Sequence, residues 1–312
     1  MPVPTIVSSN YKGGVGKTTT SRVLAQAMAD DKAFNRGKPV LVIDLDPQGN
    51  TSRRWQLLKT CENGTRIPKP HPKLENETVP YSSVCDLWLD LLELGEPVAP
   101  EPYETANPLI HVVPAHEEQM NEVMLVPKAS REKLGQMMRN WLRDVGAKPG
   151  DRLVDKYCCV IIDTQPTKTP LIDAALTAAT HCYIPFVPEP QPVEGVYSII
   201  SYVHSLSSQR SGDIPLELLG LLPNMVQSTR LHTLHLKKLR DHPVFGKYLM
   251  PVKLSRRIGY SETDDWRNTP DQVTDLEGTQ IEFEARKFGK YLMNKIAAGV
   301  VMKSAQKEAE NV

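Results

Sequence analysis

Apolar β-runs alternating with helix-length segments predict an α/β domain with a mostly parallel, doubly wound sheet covered by helices on both faces. Three observations carry that expectation. The runs around Val40–Ile43 and Cys159–Ile162 are apolar at every position, so neither face of those strands meets water. Helix-like segments separate them. The first run, Ile6-Val7, leads directly into Lys12-Gly13-Gly14-Val15-Gly16-Lys17-Thr18-Thr19 and then a helical stretch, Ser21 to Asp30. A strand, a glycine turn and a helix start form a phosphate cradle, where successive N–H groups and the helix dipole favour an anion.

In chain order, residues 4–9 read as the first strand. Residues 17–31 read as a helix with Val23, Leu24, Ala27 and Met28 on one side. Residues 39–44 form a second strand ending in Asp44. Further strands fit at 110–113, 158–163, 181–187 and 217–222, and helices at 116–124, 130–145, 170–179, 195–208, 230–241 and 281–303. The stretch 60–80 is rich in Pro, Lys, Asn and Glu, and 93–108 in Pro and Glu, so residues 60–108 read as an irregular, exposed insertion. The expected organisation is one domain over 1–312 built around the phosphate-binding loop, with that insertion and a C-terminal helix at about 281–303.

Bulk properties exclude several classes. The chain has 312 residues, 40% of them hydrophobic, enough for one large α/β core. Mean hydropathy is −0.35, and no apolar run approaches the roughly 20 residues of a membrane span. Met1-Pro-Val-Pro has no basic leader region, so a cytoplasmic protein is expected. The five cysteines show no CxxC pairing, which argues against a disulfide framework or zinc site. His232, His235 and His242 read as residues of a surface helix rather than a metal site.

Charge is balanced overall, 37 basic against 37 acidic residues, but segregated. Between Ser228 and Arg257 lie Arg230, Lys237, Lys238, Arg240, Lys247, Lys253, Arg256 and Arg257 against one acid, Asp241. Segregated charge creates a local field even on a neutral protein. Phosphate contacts from such residues give sequence-independent, salt-sensitive nucleic-acid binding.

The residue types at the glycine turn suit phosphoryl transfer, which needs positioning, charge neutralisation and an oriented water. Gly13, Gly14, Val15, Gly16, Lys17, Thr18 and Thr19 supply the cradle. Lys17 suits the β/γ-phosphates, and the Thr18 hydroxyl suits a Mg²⁺ ion. Asp163 ends an apolar run and should emerge beside the metal, holding Mg²⁺ through water. Asp44 likewise follows a strand. Tyr11 stands where a standard P-loop carries glycine, and Lys12 is an extra lysine at the mouth, aimed better at phosphates of another subunit than at its own.

Lys12 to Thr19 resembles the deviant Walker A box of the ParA/MinD class of ATPases. Val40-Leu-Val-Ile-Asp44-Leu-Asp46-Pro47-Gln48-Gly49-Asn50 is similar to the second box of the ParA branch. Cys159-Val-Ile-Ile-Asp163 resembles its Walker B strand, and Glu194-Gly195, Pro223-Asn224 and Arg230-Leu231 sit where family members carry similar residues. The resemblance implies ATP and Mg²⁺ as cofactors, Asp44 orienting the attacking water, and Lys12 reaching across an ATP-bound sandwich homodimer. It implies nonspecific DNA binding by the basic window, with Arg230, Lys237, Lys238, Arg240, Arg256 and Arg257 as candidates, and a centromere-binding, ParB-like partner that triggers hydrolysis at the nucleoid. Asn224 and Pro251 are the candidates for the adenine side, and the missing Asn-Lys-x-Asp pattern favours ATP over GTP. Two departures stand out. Thr164-Gln165-Pro166 replaces the usual Ala/Cys/Thr-Pro-Pro, and Met250 to Arg257 aligns weakly.

The expected function is therefore a partition ATPase for a plasmid or chromosome. Only eleven residues precede the P-loop, so no helix-turn-helix is expected there. A positioning ATPase for a protein cargo is the alternative within the same class. A MinD-like membrane-surface regulator is another, through the C-terminal run with Phe288, Tyr291, Leu292, Ile296, Val300 and Val301 near one face; a terminal helix packed on the sheet is the favoured reading, with no membrane partner. A nucleotide-binding scaffold without turnover is the last.

Overall fold

A computed structural model describes residues 2–189, 192–210, 214–263, 265, 267 and 272–309, and of 192–196 and 300–309 the helical backbone alone. The chain runs β1 (Thr5–Ser8), α1 (Lys17–Asp30), α2 (Lys32–Asn35), β2 (Val40–Leu45) and α3 (Asn50–Arg54). A hairpin follows, β3 (Leu58–Thr60) and β4 (Arg66–Pro68), then β5 (Tyr103–Glu104), β6 (Ile110–Val113), α4 (Glu117–Leu125), α5 (Arg131–Leu142) and α6 (Leu153–Lys156). The second half is β7 (Cys159–Thr164), α7 (Pro170–Ala178), β8 (His181–Phe186), α8 (Pro192–Gln209), β9 (Glu217–Pro223), α9 (Arg230–Asp241), α10 (Phe245–Tyr248), α11 (Ile258–Glu262) and α12 (Gln280–Ala309).

Seven strands form one sheet in the order β5-β6-β2-β7-β1-β8-β9. Every pairing is parallel except β5 with β6 at the edge. The all-apolar strands explain this burial on both faces. On β2, Leu41, Ile43 and Leu45 enter one core while Val40 and Val42 enter the other; on β7, Val160 and Ile162 oppose Cys159 and Ile161 in the same way. Helices α5 and α7 pack against each other and contribute to the first layer, and α1 and α12 to the second. The α1–α12 approach is close: a Cβ on Gly289 would lie 2.6 Å from Ala27 Cβ. Phe288, Leu292 and Ile296 of α12 are core residues, so the described part of this helix spends its apolar face on the sheet. Val300, Val301 and Lys303 lie outside the residues whose side chains are described. No described helix is long and apolar enough to cross a membrane.

The insertion departs from the expectation of exposure. Val84, Cys85, Leu87 and Trp88 are buried in the first core, held in a short helical turn by a reciprocal cap between Ser83 and Asp86. Trp88 Nε1 donates to Leu134 O at 3.1 Å. A five-residue turn carries neither the 3.6 nor the 2.0 period, so its burial leaves no periodic signal. The strands β3, β4 and β5 escape sequence reading for the same reason, being two or three residues long. The helix expected to 145 stops at Leu142, where Asp144 takes a positive φ of 58°.

Candidate functional site

Parallel strands all point their carboxyl ends at one edge, and the site is built there. The register aligns Ser8 of β1 with Asp163 of β7, and Asp163 with Asp44 of β2. The glycine turn leaves β1 at that same edge and enters α1.

Gly14 and Gly16 adopt positive φ of 70° and 80°, a conformation that glycine enters without Cβ strain. A Cβ on Gly16 would also collide with Asn224 Nδ2. Asn224 Nδ2 donates to Val15 O at 2.8 Å, so the residue at the end of β9 supports the loop directly. Asn10 braces its start: its Nδ2 donates to Pro185 O at 2.8 Å, and its Oδ1 accepts from Lys12 N at 2.9 Å. Lys17 Nζ lies within the loop, donating to Asn10 O at 3.0 Å and Lys12 O at 3.3 Å. Burial lowers its pKa, while Asp163 and Asp46 oppose that shift. Lys12 instead points outward and pairs with Glu189 at 3.3 Å, both side chains about half exposed. Tyr11 packs against the first core, and its buried hydroxyl has no hydrogen-bond partner among the described residues.

Both aspartates are fully buried. Asp163 Oδ2 accepts from Thr51 Oγ1 at 2.6 Å and Oδ1 from Ser21 Oγ at 3.3 Å; the Thr18 hydroxyl also hydrogen-bonds this carboxylate. Asp44 Oδ2 accepts from Ser52 N and Oγ at 2.8 and 2.6 Å, and Oδ1 from Asp46 N at 3.2 Å. Burial, then the neighbouring Asp163 charge, pushes Asp44 up to about 8. Burial raises Asp163 to about 6, against the hydrogen bonds from Thr51 and Thr18. A cation between them would reverse this cost. The motif reading missed Asn10, Ser21, Thr51 and Ser52. Their only signal was position: Thr51 and Ser52 follow the Asp46–Asn50 turn, and Ser21 lies one helical turn beyond Lys17.

Two cavities flank the loop. One, of about 190 Å³, joins Lys12, Gly13 and Glu189 to Gln227 and Arg256; the other, of about 530 Å³, joins Thr19, Asn224 and Met225 to Ser255, Arg256 and Arg257. Pro251 is not brought to either. It lines a cleft with Asp30, Asp31 and Lys290, at the far end of α1 from the loop. Its place beside Asn224 is taken by the segment that follows it, Leu254 to Ser261.

The six candidate DNA contacts are all exposed, yet the structure divides them. Arg230, Lys237, Lys238 and Arg240 lie on α9, capped by Thr229, whereas Arg256 and Arg257 border the loop cavities. His232 is buried on α9, with Nδ1 accepting from Gln227 N at 3.1 Å. No cluster of three His, Cys, Asp or Glu side chains able to hold a metal occurs among the described residues. Glu194 and Gly195 fall outside the residues described beyond their helical backbone.

A glycine cradle closing on a helix, with buried aspartates on two adjacent strand ends, defines a P-loop ATPase. The family described as "AAA domain" matches residues 3–215, and the chain belongs to it, as a ParA-type member. The chromosome-partitioning ATPase Soj of Thermus thermophilus is 29% identical over 269 residues, covering 85% of this chain and 86% of its own. The chromosome partitioning protein ParA of Caulobacter vibrioides is 28% identical over 262 residues, covering 84% of each. Among solved structures, a Cyanothece McdA variant in complex with ATP has a TM-score of 0.65 at 18% identity, over 93% of this chain and 96% of that one. A plasmid partition protein from Borrelia burgdorferi scores 0.61 at 17% identity, over 95% and 100%. At such identities the structures speak to the fold.

Proposed function

We propose that this ParA-type ATPase partitions DNA by an ATP-gated cycle of dimerisation and nonspecific DNA binding. The observation that carries the reading is Lys12. It is a second loop lysine whose ammonium leaves its own cradle for the mouth, while Lys17 stays inside. A cation so placed suits the phosphates of a second protomer closing face to face.

Within one protomer the roles follow from position. Gly13 to Thr19 bind the triphosphate through backbone N–H groups, and Lys17 neutralises the β/γ-phosphates. The Thr18 hydroxyl and the Asp163 carboxylate are hard oxygen donors in contact, the set that suits Mg²⁺. That ion would neutralise charge developing on the phosphates. Asp44, held by Ser52 and the Asp46 amide, orients the attacking water. Asn224 stands on the adenine side, with the 254–261 segment in place of Pro251.

The basic face of α9 supports DNA binding, since Arg230, Lys237, Lys238 and Arg240 stand clear of the core. The names of the Thermus and Caulobacter relatives support chromosome partitioning. The resemblance of the loop and strand-end boxes to the ParA class supports a centromere-binding partner that stimulates hydrolysis, with the cycle running in the cytoplasm at the nucleoid. The deciding experiment is DNA retention with ATP, ADP or no nucleotide across a salt series, alongside oligomer mass. ATP-dependent dimers that bind DNA and fade with salt are expected. A protein that stays monomeric with Mg²⁺ and a non-hydrolysable ATP analogue would end the reading.

A further inference from the structure

The hairpin that opens the insertion, β3 and β4, is fastened to the turn after Asp44, and Arg66 on β4 makes the joint. Arg66 Nε donates to Glu117 Oε2 at 2.9 Å and Nη2 to Glu117 Oε1 at 3.2 Å, the fork-on-carboxylate pairing that guanidinium favours. The Arg66 backbone N donates to the same Oε2 at 3.1 Å. The rest of the fork grips the turn: Nη1 donates to Gln48 O at 2.8 Å and Nη2 to Gln48 Oε1 at 3.3 Å. The Arg66 and Glu117 side chains are 20% and 23% exposed, so salt screens this pair less than an open surface pair.

Both segments that Arg66 joins also hold Asp44. The Gln48 turn supplies the Asp46 amide, which donates to Asp44 Oδ1. That turn is itself closed by Gln48 N donating to Asp46 Oδ1 at 2.9 Å. Glu117 opens α4, two residues beyond Ala115, whose N donates to Ser52 Oγ at 3.0 Å. The same hydroxyl donates to Asp44 Oδ2 at 2.6 Å. Arg66 thus closes a ring that runs from the Gln48 turn through Asp44 and Ser52 to the start of α4. The hairpin packs where it grips. A Cβ on Gly49 would lie 2.6 Å from Leu58 Cδ1, and Leu57 N donates to Ser52 O at 3.0 Å. The guanidinium charge also reaches the turn: burial raises the Asp46 pKa, and the Gln48 amide, Lys17 and Arg66 oppose that rise in that order.

We propose that the β3–β4 hairpin is a latch on this edge of the sheet, with Arg66 a positioning residue for ATP hydrolysis. It fixes two supports of Asp44, and so the direction in which that carboxylate meets the attacking water. The proposal rests on reading Asp44 as the water-orienting group. Neither Gln48 nor Glu117 lines a loop cavity, so the effect belongs to turnover rather than to nucleotide affinity. Any displacement of the hairpin is carried to Asp44 through one side chain, which gives the insertion a part in the reaction.

The test compares Arg66→Ala with the parent in ATP turnover by the full chain. The kcat is expected to fall by about 10²-fold, the cost of misplacing a reacting group by about 1 Å. KM for ATP and AMPPNP affinity should be unchanged. Millimolar guanidinium, which fits the space left between Glu117 and Gln48, should restore much of the rate in Arg66→Ala and leave the parent as it was. Arg66→Lys should stay slow, because a point charge cannot span both partners. Glu117→Gln loosens the guanidinium without deleting it; it should lose part of the rate, and it carries the test if Arg66→Ala does not fold. Amide exchange reads the latch by itself: Gln48 and Ser52 should exchange faster in Arg66→Ala while Gly13 to Thr19 are unchanged. Undiminished kcat, absent rescue by guanidinium, or exchange that quickens throughout the chain overturns the proposal. The two readings fail separately. Asp44→Ala with undiminished turnover ends the water-orienting reading, whereas faster exchange confined to Gln48 and Ser52 would still establish the hairpin as a latch.

Discussion

Asp44 and Asp163 sit directly opposite each other on adjacent parallel strands, both fully buried and both at the strand ends. Two carboxylates so placed cannot both ionise cheaply without a cation. Their supports differ. Asp163 is held by hydroxyls of Thr51, Ser21 and Thr18, Asp44 by the amide and hydroxyl of Ser52. Replacing Asp44 by Ala is expected to cut ATP turnover by about 10²–10⁴-fold, the range for a positioned proton acceptor. AMPPNP binding by the same variant should survive, as calorimetry would show. A variant with undiminished turnover would transfer the water-orienting role elsewhere.

The same pair sets a pH dependence for the protein without nucleotide or metal. Asp44 is raised from 3.8 to about 8 and Asp163 to about 6, chiefly by burial. A carboxyl that holds its proton more tightly when folded favours the fold while protonated. That contribution is complete below about pH 4 and is lost as pH rises, through about 6 for Asp163 and about 8 for Asp44. The melting temperature should therefore fall between about pH 5 and 8, and magnesium with nucleotide should restore it. Asp44→Asn, which cannot ionise, should flatten the slope; an equally steep slope in that variant would remove Asp44 as its source.

Much of this site was legible because its parts are local. The glycine turn needs only eight consecutive residues, and Asp44 and Asp163 each close an apolar run that must be a buried strand. What the sequence could not reveal is the long-range support. Asn224 lies 209 positions from the loop carbonyl it holds, and nothing in its neighbours marks that bond. Trp88 is similar, a core residue within a proline-rich insertion. Arg256 and Arg257 show how sequence proximity leaves spatial grouping open. They belong to the basic window by sequence, and the segment after α10, which pairs with the end of β9 through Leu254 N to Pro223 O, carries them to the rims of the loop cavities.

Gly16 tests the cradle itself. Its φ of 80° and the collision awaiting any Cβ at Asn224 make alanine doubly unfavourable. Gly16→Ala is expected to cost about 1–3 kcal/mol in stability and to abolish nucleotide binding. Asn224→Ala, which removes the obstacle and the Val15 bond, should leave the fold intact and weaken AMPPNP binding severalfold. Urea melts and calorimetry on both variants separate the effects.

Lys12 and Glu189 form an exposed pair, of the kind that contributes roughly 0–1 kcal/mol. Lys12→Ala should melt within a few degrees of the parent, because little of the fold depends on that contact. Its effect should appear in assembly, as loss of the AMPPNP-dependent dimer in light scattering. A variant that still dimerises would place the intersubunit cation on another residue.

The division of the basic window yields the sharpest separation between DNA binding and ATP chemistry. Arg230, Lys237, Lys238 and Arg240 share one helix surface, while Arg256 and Arg257 face the cavities beside Thr19, Asn224 and Lys12. Reversing Lys237, Lys238 and Arg240 to Glu should remove DNA retention and leave AMPPNP affinity and dimer mass unchanged, since none approaches the loop. A milder Lys237→Ala should lower the slope of log affinity against log salt by about one. Reversing Arg256 and Arg257 should instead weaken AMPPNP binding first and DNA binding as its consequence. DNA binding should then recover at saturating nucleotide. If it stays absent with the dimer fully formed, both arginines contact DNA directly, and the α9 face is only part of a larger surface that wraps towards the nucleotide.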